Sequence, residues 1–124
     1  MAESFARIRV KLIVADVGQA EGELNRLTAP LTVGEIVKRL PINGRIITGQ
    51  GFIQIIINLK RGIEKSVIQV EAGTIAFWPQ SSSICFYTMN TKTYSPVNKI
   101  GKVLTNIEIF KNLKNGSRMI IEKV

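Results

Sequence analysis

Four side chains in the middle of the chain have the types and spacing to hold a ligand: Phe52, Gln54, Trp78 and Tyr87. Phe52 and Gln54 stand two residues apart in an apolar run, so on a strand they share one face and pair an aromatic wall with a polar anchor. Trp78 precedes Pro79 at the end of a second apolar run, where an indole is commonly half exposed with its N–H seeking a partner. In that run Ile75 and Phe77 fall on one face and Ala76 and Trp78 on the other, so only one of the two sets belongs to the interior. Tyr87, with Phe86, adds further ring surface. Core packing accounts for many of these rings equally well. The chemistry they offer is the gripping of an apolar body, without bond-making.

Residue types that are missing narrow the field. There is no histidine, which removes Ser-His and Cys-His nucleophile pairs, histidine general bases and zinc sites that use histidine. Asp16 is the one aspartate, and the glutamates are scattered along the chain, unlike the clustered carboxylates of metal sites. No metal and no cofactor are expected. Cys85 is the one cysteine, so no internal disulfide forms, and a buried, inert thiol is expected.

The chain carries 17 Lys and Arg against 9 Asp and Glu, a net charge of +8. Arg7, Arg9 and Lys11 form a basic stripe, and the last third adds seven more cations against Glu108 and Glu122. Such a surface attracts polyanions by counterion release, which makes nucleic acid an alternative partner. No known nucleic-acid module accompanies it, and solvated charge that keeps a protein soluble is the commoner origin. The start, MAESFARIRV, lacks the regions of a secretory signal and has Glu3 where basic residues would stand, so the expected location is cytoplasmic, with no membrane partner.

Most of the secondary structure around these residues reads as strand. At 124 residues the chain fits one domain spanning 1–124. Between Phe5 and Val14 apolar and basic residues alternate with period two, a half-buried first strand, and Gln19 to Leu24 returns as a second. Thr32 followed by Glu35 has capping-box spacing, which predicts a helix carrying Ile36, Val37 and Leu40 on its apolar face and ended by Pro41. After an Asn43-Gly44 turn, Arg45–Thr48 and Phe52–Leu59 read as paired strands, and Ser66–Val70 with Thr74–Trp78 as the next pair. Ser83–Met89, a polar loop at Asn90–Ser95, a strand at Pro96–Leu104, a short helical turn capped by Thr105 or Asn106, and a closing strand Met119–Val124 complete the count. The fold class is mainly β, with about eight strands and one or two short helices, the helix closing one mouth of a barrel.

The segments ELNRLTAP, RLP, GTIAFWP, SSICFY and SPVNKIGKV, with KNLKNGSRMIIEK near the end, resemble the small prokaryotic cyclophilin-like barrel family from about Glu23 to the C-terminus. Two departures stand out: Gln50-Gly51 replaces the usual Trp-Gly, and Met89-Asn90-Thr91 replaces the usual Gly-Pro-Thr-Pro loop. The resemblance implies a closed, cyclophilin-like β-barrel and single-domain relatives without an established activity. It also raises peptidyl-prolyl isomerisation, which needs an apolar hollow and a fixed cation to bond the imide nitrogen as it loses resonance. Arg45, on a strand before Gln50-Gly51-Phe52, is the one candidate, loosely similar to the arginine strand of true cyclophilins, although an exposed edge-strand arginine accounts for it as well. The long Phe-Ser-Met-Ala-Asn and Asn-Gly-Ser-Gln-Phe-Phe stretches of isomerases are absent. The main reading is a non-enzymatic small-molecule or peptide binding module with a shallow apolar cleft at Phe52, Gln54, Trp78 and Tyr87. A prolyl isomerase and an electrostatic nucleic-acid binder are the alternatives.

Overall fold

The computed structural model describes residues 5–124; the acidic start at Glu3 lies outside them. Strand β1 (Arg7–Val14) follows its period-two pattern: Val10, Leu12 and Val14 are buried while Arg7 and Arg9 face outward. It pairs along its length with β2 (Gly18–Asn25) through a turn in which Asp16 takes a left-handed conformation, φ 64°. Glu21 and Glu23 of β2 lie across from the basic stripe, where Arg9 pairs with Glu21 and Arg7 lies 3.9 Å from Glu23. The stripe is therefore interleaved with acid.

One sheet carries most of the chain. Its order is β3 (Ile42–Arg45), β10 (Arg118–Lys123), β1, β2, β9 (Thr91–Thr105), β7 (Thr74–Trp78), β8 (Ser83–Tyr87), β5 (Phe52–Ile56) and β4 (Ile47–Gly49). Strand β6 (Val67–Val70) stands off this path and pairs with β9. The fold is mainly β, as expected, with ten strands among the described residues where about eight were expected.

Among the described residues, hydrogen bonds do not close the sheet into a barrel. Its edge strands β3 and β4 are nonetheless separated in sequence by Ile46 alone, so the sheet curls until its two ends meet in the chain. Ile46 turns its side chain into the core, and its backbone is occupied elsewhere: its N–H donates to the Ser117 carbonyl at 2.8 Å and its carbonyl accepts from the Gly116 N–H at 2.8 Å. The groups that a closing ladder would use are spent on the loop before β10.

Other expectations are corrected by pairing. Asn43 and Gly44 sit within β3 and face Ile120 and Met119 of β10, so they make no turn. Strand β6 pairs with β9, not with β7, and β5 ends at Ile56 instead of Leu59. Of Asn90–Ser95, read as a polar loop, Thr91 to Ser95 form the first part of the 15-residue β9. Pro96 falls where the β6–β9 register shifts between Lys92 and Val97, an irregular position that tolerates its missing N–H.

Helix α1 (Pro30–Lys38) begins earlier than the capping box implied, and its Ala29 cap makes no side-chain bond. Glu64 supplies the cap from the long connection between β5 and β6. Its carboxylate accepts from the N–H of Leu31 and of Thr32, both at 2.8 Å, and from the Thr32 hydroxyl at 2.7 Å. A carboxylate at a helix N-terminus satisfies free donors and opposes the helix dipole. Val33 and Ile36 of α1 enter the core, with Val37 and Leu40 packed at its margin. The helical turn expected after Asn106 is the 3-10 segment Ile107–Phe110; Asn106 does not cap it and instead donates its side-chain amide to Gln19.

The apolar residues form two clusters on opposite faces of the sheet. The larger fills the curl and includes Leu12, Ile36, Ile75, Phe77, Phe86 and Phe110. The smaller lies on the outer face of β5, β8 and β7 and holds Phe52, Val70, Ala76, Cys85, Tyr87 and Val97, with Trp78 against it. Strands β7 and β8 are enclosed on both faces, which is why TIAFW and SICFY read as unbroken apolar runs.

Candidate functional site

The outer cluster is open at one end, where β5, β7, β8 and the first half of β9 surround a hollow of about 300 Å³. Cross-strand register places Phe52 opposite Tyr87, with ring centroids 5.5 Å apart. Alternation along β7 turns Phe77 into the main core and Trp78 out to the hollow, edge-on to Phe52 at 6.3 Å. The fourth ring is Tyr94 of β9, stacked over Trp78 at 6.0 Å with 27° between planes and 6.2 Å from Phe52. Phe52 is 8% exposed and Tyr94 75% exposed, so the wall grades from core to solvent. Edge and offset contacts of this kind suit the quadrupoles of aromatic rings.

Polar groups fix this wall and border it. The Trp78 indole N–H donates to Ser95 Oγ at 2.6 Å, which holds the ring and leaves its face as the contact surface. Asn90 accepts from the Ala72 N–H through Oδ1 at 2.9 Å, leaving its side-chain N–H₂ as the free end. Gln50, Met89, Thr91 and Lys92 line the same hollow. Both places where the sequence departs from the family pattern, Gln50-Gly51 and Met89-Asn90-Thr91, thus contribute to it.

Of the four residues read from sequence as ligand-holding, Phe52, Trp78 and Tyr87 are brought together here. Gln54 is not in the lining. It shares the outer face with Phe52 but stands one step further along β5, opposite Cys85, and its buried Oε1 accepts no hydrogen bond from the described residues. Arg45 also lies elsewhere, on β3, where its guanidinium donates to the Gly116 carbonyl at 2.9 Å. Tyr94, Met89, Lys92 and Val97 escaped the sequence reading. The signal for Tyr94 was the β-forming run TKTY, outweighed by its polar neighbours.

The ionisable groups beneath the wall are inert. Burial pushes the Cys85 thiol up to about 12. Burial also raises the Tyr87 hydroxyl, with Cys85 beside it adding to the effect, so Tyr87 stays neutral near pH 7. Among the described residues no three His, Cys, Asp or Glu side chains gather to hold a metal ion, and no helix is long and apolar enough to cross a membrane. The arrangement is suited to gripping a flat apolar group; its lining contains no carboxylate, histidine or available thiol for proton transfer or nucleophilic attack.

A curled, mainly β sheet with an aromatic hollow on its outer face and one short helix against its core defines a cyclophilin-like architecture. The chain belongs to the cyclophilin-like family, whose model matches residues 8–122. It is similar over its whole length to the hypothetical protein AF2241 from Archaeoglobus fulgidus, known from a solution structure, with 26% identity, a TM-score of 0.83 and full coverage of both chains. It also shares its fold with McbB, solved in complex with tryptophan, at 12% identity and a TM-score of 0.68 over 91% of this chain and 44% of that one. No curated protein matches.

Proposed function

We propose that the outer hollow binds a small molecule or peptide, and that the protein acts as a binding module without catalysis of its own. The observation that carries this is the graded aromatic wall of Phe52, Tyr87, Trp78 and Tyr94, which leaves a large ring three-quarters exposed beside an apolar hollow. Such a surface gains free energy when an apolar body displaces water from it, and its volume is at the small end for ligand pockets, which begin near about 300 Å³. The fixed Trp78 indole favours binding further, because little side-chain entropy remains to be lost.

The position of Arg45, away from the hollow, supports a non-enzymatic reading over prolyl isomerisation. The ion pairs of Arg7 and Arg9 with Glu23 and Glu21 weaken the basic stripe as a nucleic-acid track. McbB, solved with tryptophan, adds a reason to include aromatic amino acids among the compounds tested. Trp78 is the only tryptophan, so its emission reports on the hollow directly. Titration with aromatic amino acid derivatives that lack indole is expected to shift that emission saturably. A flat response across such compounds and across proline-containing peptides would reject the proposal.

A further inference from the structure

We infer that the hollow selects a small aromatic carboxylate, one ring joined to one anionic group, with the ring against Trp78 and Tyr94 and the carboxylate at Lys92. This rests on the binding reading above and specifies its ligand. The wall alone does not decide the charge of the ligand, because electron-rich ring faces also attract cations. The rest of the lining decides it: Lys92 is the one charged residue there, and no carboxylate stands among the lining residues to hold a cation. Lys92 is in none of the ion pairs of the described residues, whose acidic partners are Glu21, Glu23 and Glu108.

One neutral group, Asn90, points the same way. With Oδ1 of Asn90 occupied by the Ala72 N–H, the side chain offers N–H donors to the hollow. The Thr91 hydroxyl donates to the Met89 carbonyl and the Thr93 hydroxyl to the Ile68 carbonyl, so neither has a proton left for an anion, and the donors at the rim are Lys92 and the Asn90 amide. The indole N–H of Trp78 is committed to Ser95 and competes for no anion. A carboxylate therefore meets one ammonium and one amide N–H₂ beside a stacking surface. A hollow of about 300 Å³ accommodates one aromatic residue, not an extended peptide.

The test compares N-acetyl-phenylalanine with its C-terminal amide, by calorimetry and by Trp78 emission, on the wild-type protein and on Lys92→Gln and Lys92→Arg. Lys92 is exposed, and circular dichroism checks that both variants fold. The acid is expected to bind about three- to tenfold tighter than the amide at low salt, as a charge-assisted contact at a partly exposed site allows. Lys92→Gln should bring the affinities for acid and amide to within about twofold of each other, and Lys92→Arg should keep the preference for the acid. Equal binding of acid and amide, or a preference that survives Lys92→Gln, overturns the inference and leaves the binding reading standing. Tighter binding of a pentapeptide ending in phenylalanine than of the single residue overturns the single-ring ligand. Binding of neither compound at millimolar concentration overturns the inference together with the reading beneath it.

Discussion

The rings of Trp78 and Tyr94 stack 6.0 Å apart, although one belongs to the central strand β7 and the other to the irregular first half of β9, 16 positions further along. Trp78 is held by Ser95, the residue after Tyr94, so the same short segment both fixes the indole and covers it. Tyr94 is 75% exposed and contributes little to the core, yet it completes the wall. Tyr94→Ala is expected to weaken ligand binding about two- to tenfold, the worth of one aromatic contact of about 0.5–1.5 kcal/mol. Its effect on stability should stay below about 1 kcal/mol. Parallel calorimetry and urea denaturation measure the two; a large loss of stability with unchanged affinity would assign Tyr94 to packing instead.

Glu64 links the β5–β6 connection to the start of α1. Burial works to raise its carboxyl, but the N–H groups of Leu31 and Thr32 and the Thr32 hydroxyl hold it below its ordinary value. Arg61 adds to the lowering. A carboxyl with a lowered folded-state pKa contributes stability that is complete above its unfolded value, about 4.3, and is lost as pH falls through the folded value. Glu64→Gln should therefore cost about 1 kcal/mol at pH 7, a typical cap loss, and the gap from wild type should shrink below about pH 4. Denaturation midpoints of both proteins across pH 3–7 check this; a gap that widens on acidification would contradict it.

Gly101 lies where β9 crosses Leu24 of β2, and a Cβ there would collide with the Glu23 carbonyl oxygen. Backbone on both sides leaves no flexible side chain to give way. Gly101→Ala is expected to destabilise the protein by about 1–3 kcal/mol or more, as overpacking does. A thermal melt reads this as a fall of several degrees, and an unchanged midpoint would show that the two strands separate easily.

Cys85 is fully buried behind Tyr87, and its thiol is pushed up to about 12. Because only the thiolate reacts, a disulfide reagent at pH 8 should label native protein at the slow rate of its opening and label denatured protein at once. Rapid stoichiometric labelling under native conditions would mean that the outer cluster opens freely.

The strands that face one core were legible from period two alone: Ile8, Val10 and Leu12 in β1, and the opposed faces of Ile75–Phe77 and Ala76–Trp78 in β7. What pattern did not reveal was partner choice. Thr32-x-x-Glu35 had the spacing of a capping box, but Glu64, 32 residues on, took the position, and no local signal encodes such a distant contact. Likewise Asn43-Gly44 has turn chemistry but is held extended by β10. At the hollow, three of four expected residues came together because they sit on apolar strands whose faces alternation assigns. Tyr94 and Lys92 were hidden in a polar stretch whose strand character depends on pairing with β6, a long-range event.

The most direct test of the aromatic hollow is a two-dimensional NMR titration of labelled protein with N-acetyl-phenylalanine. Saturable shifts are expected at the Trp78 indole N–H, Lys92, Tyr94 and the Phe52 and Tyr87 amides, with the Arg45 amide on β3 unmoved. Shifts centred on β3 and Arg45, or no shifts at any concentration reached, would contradict it.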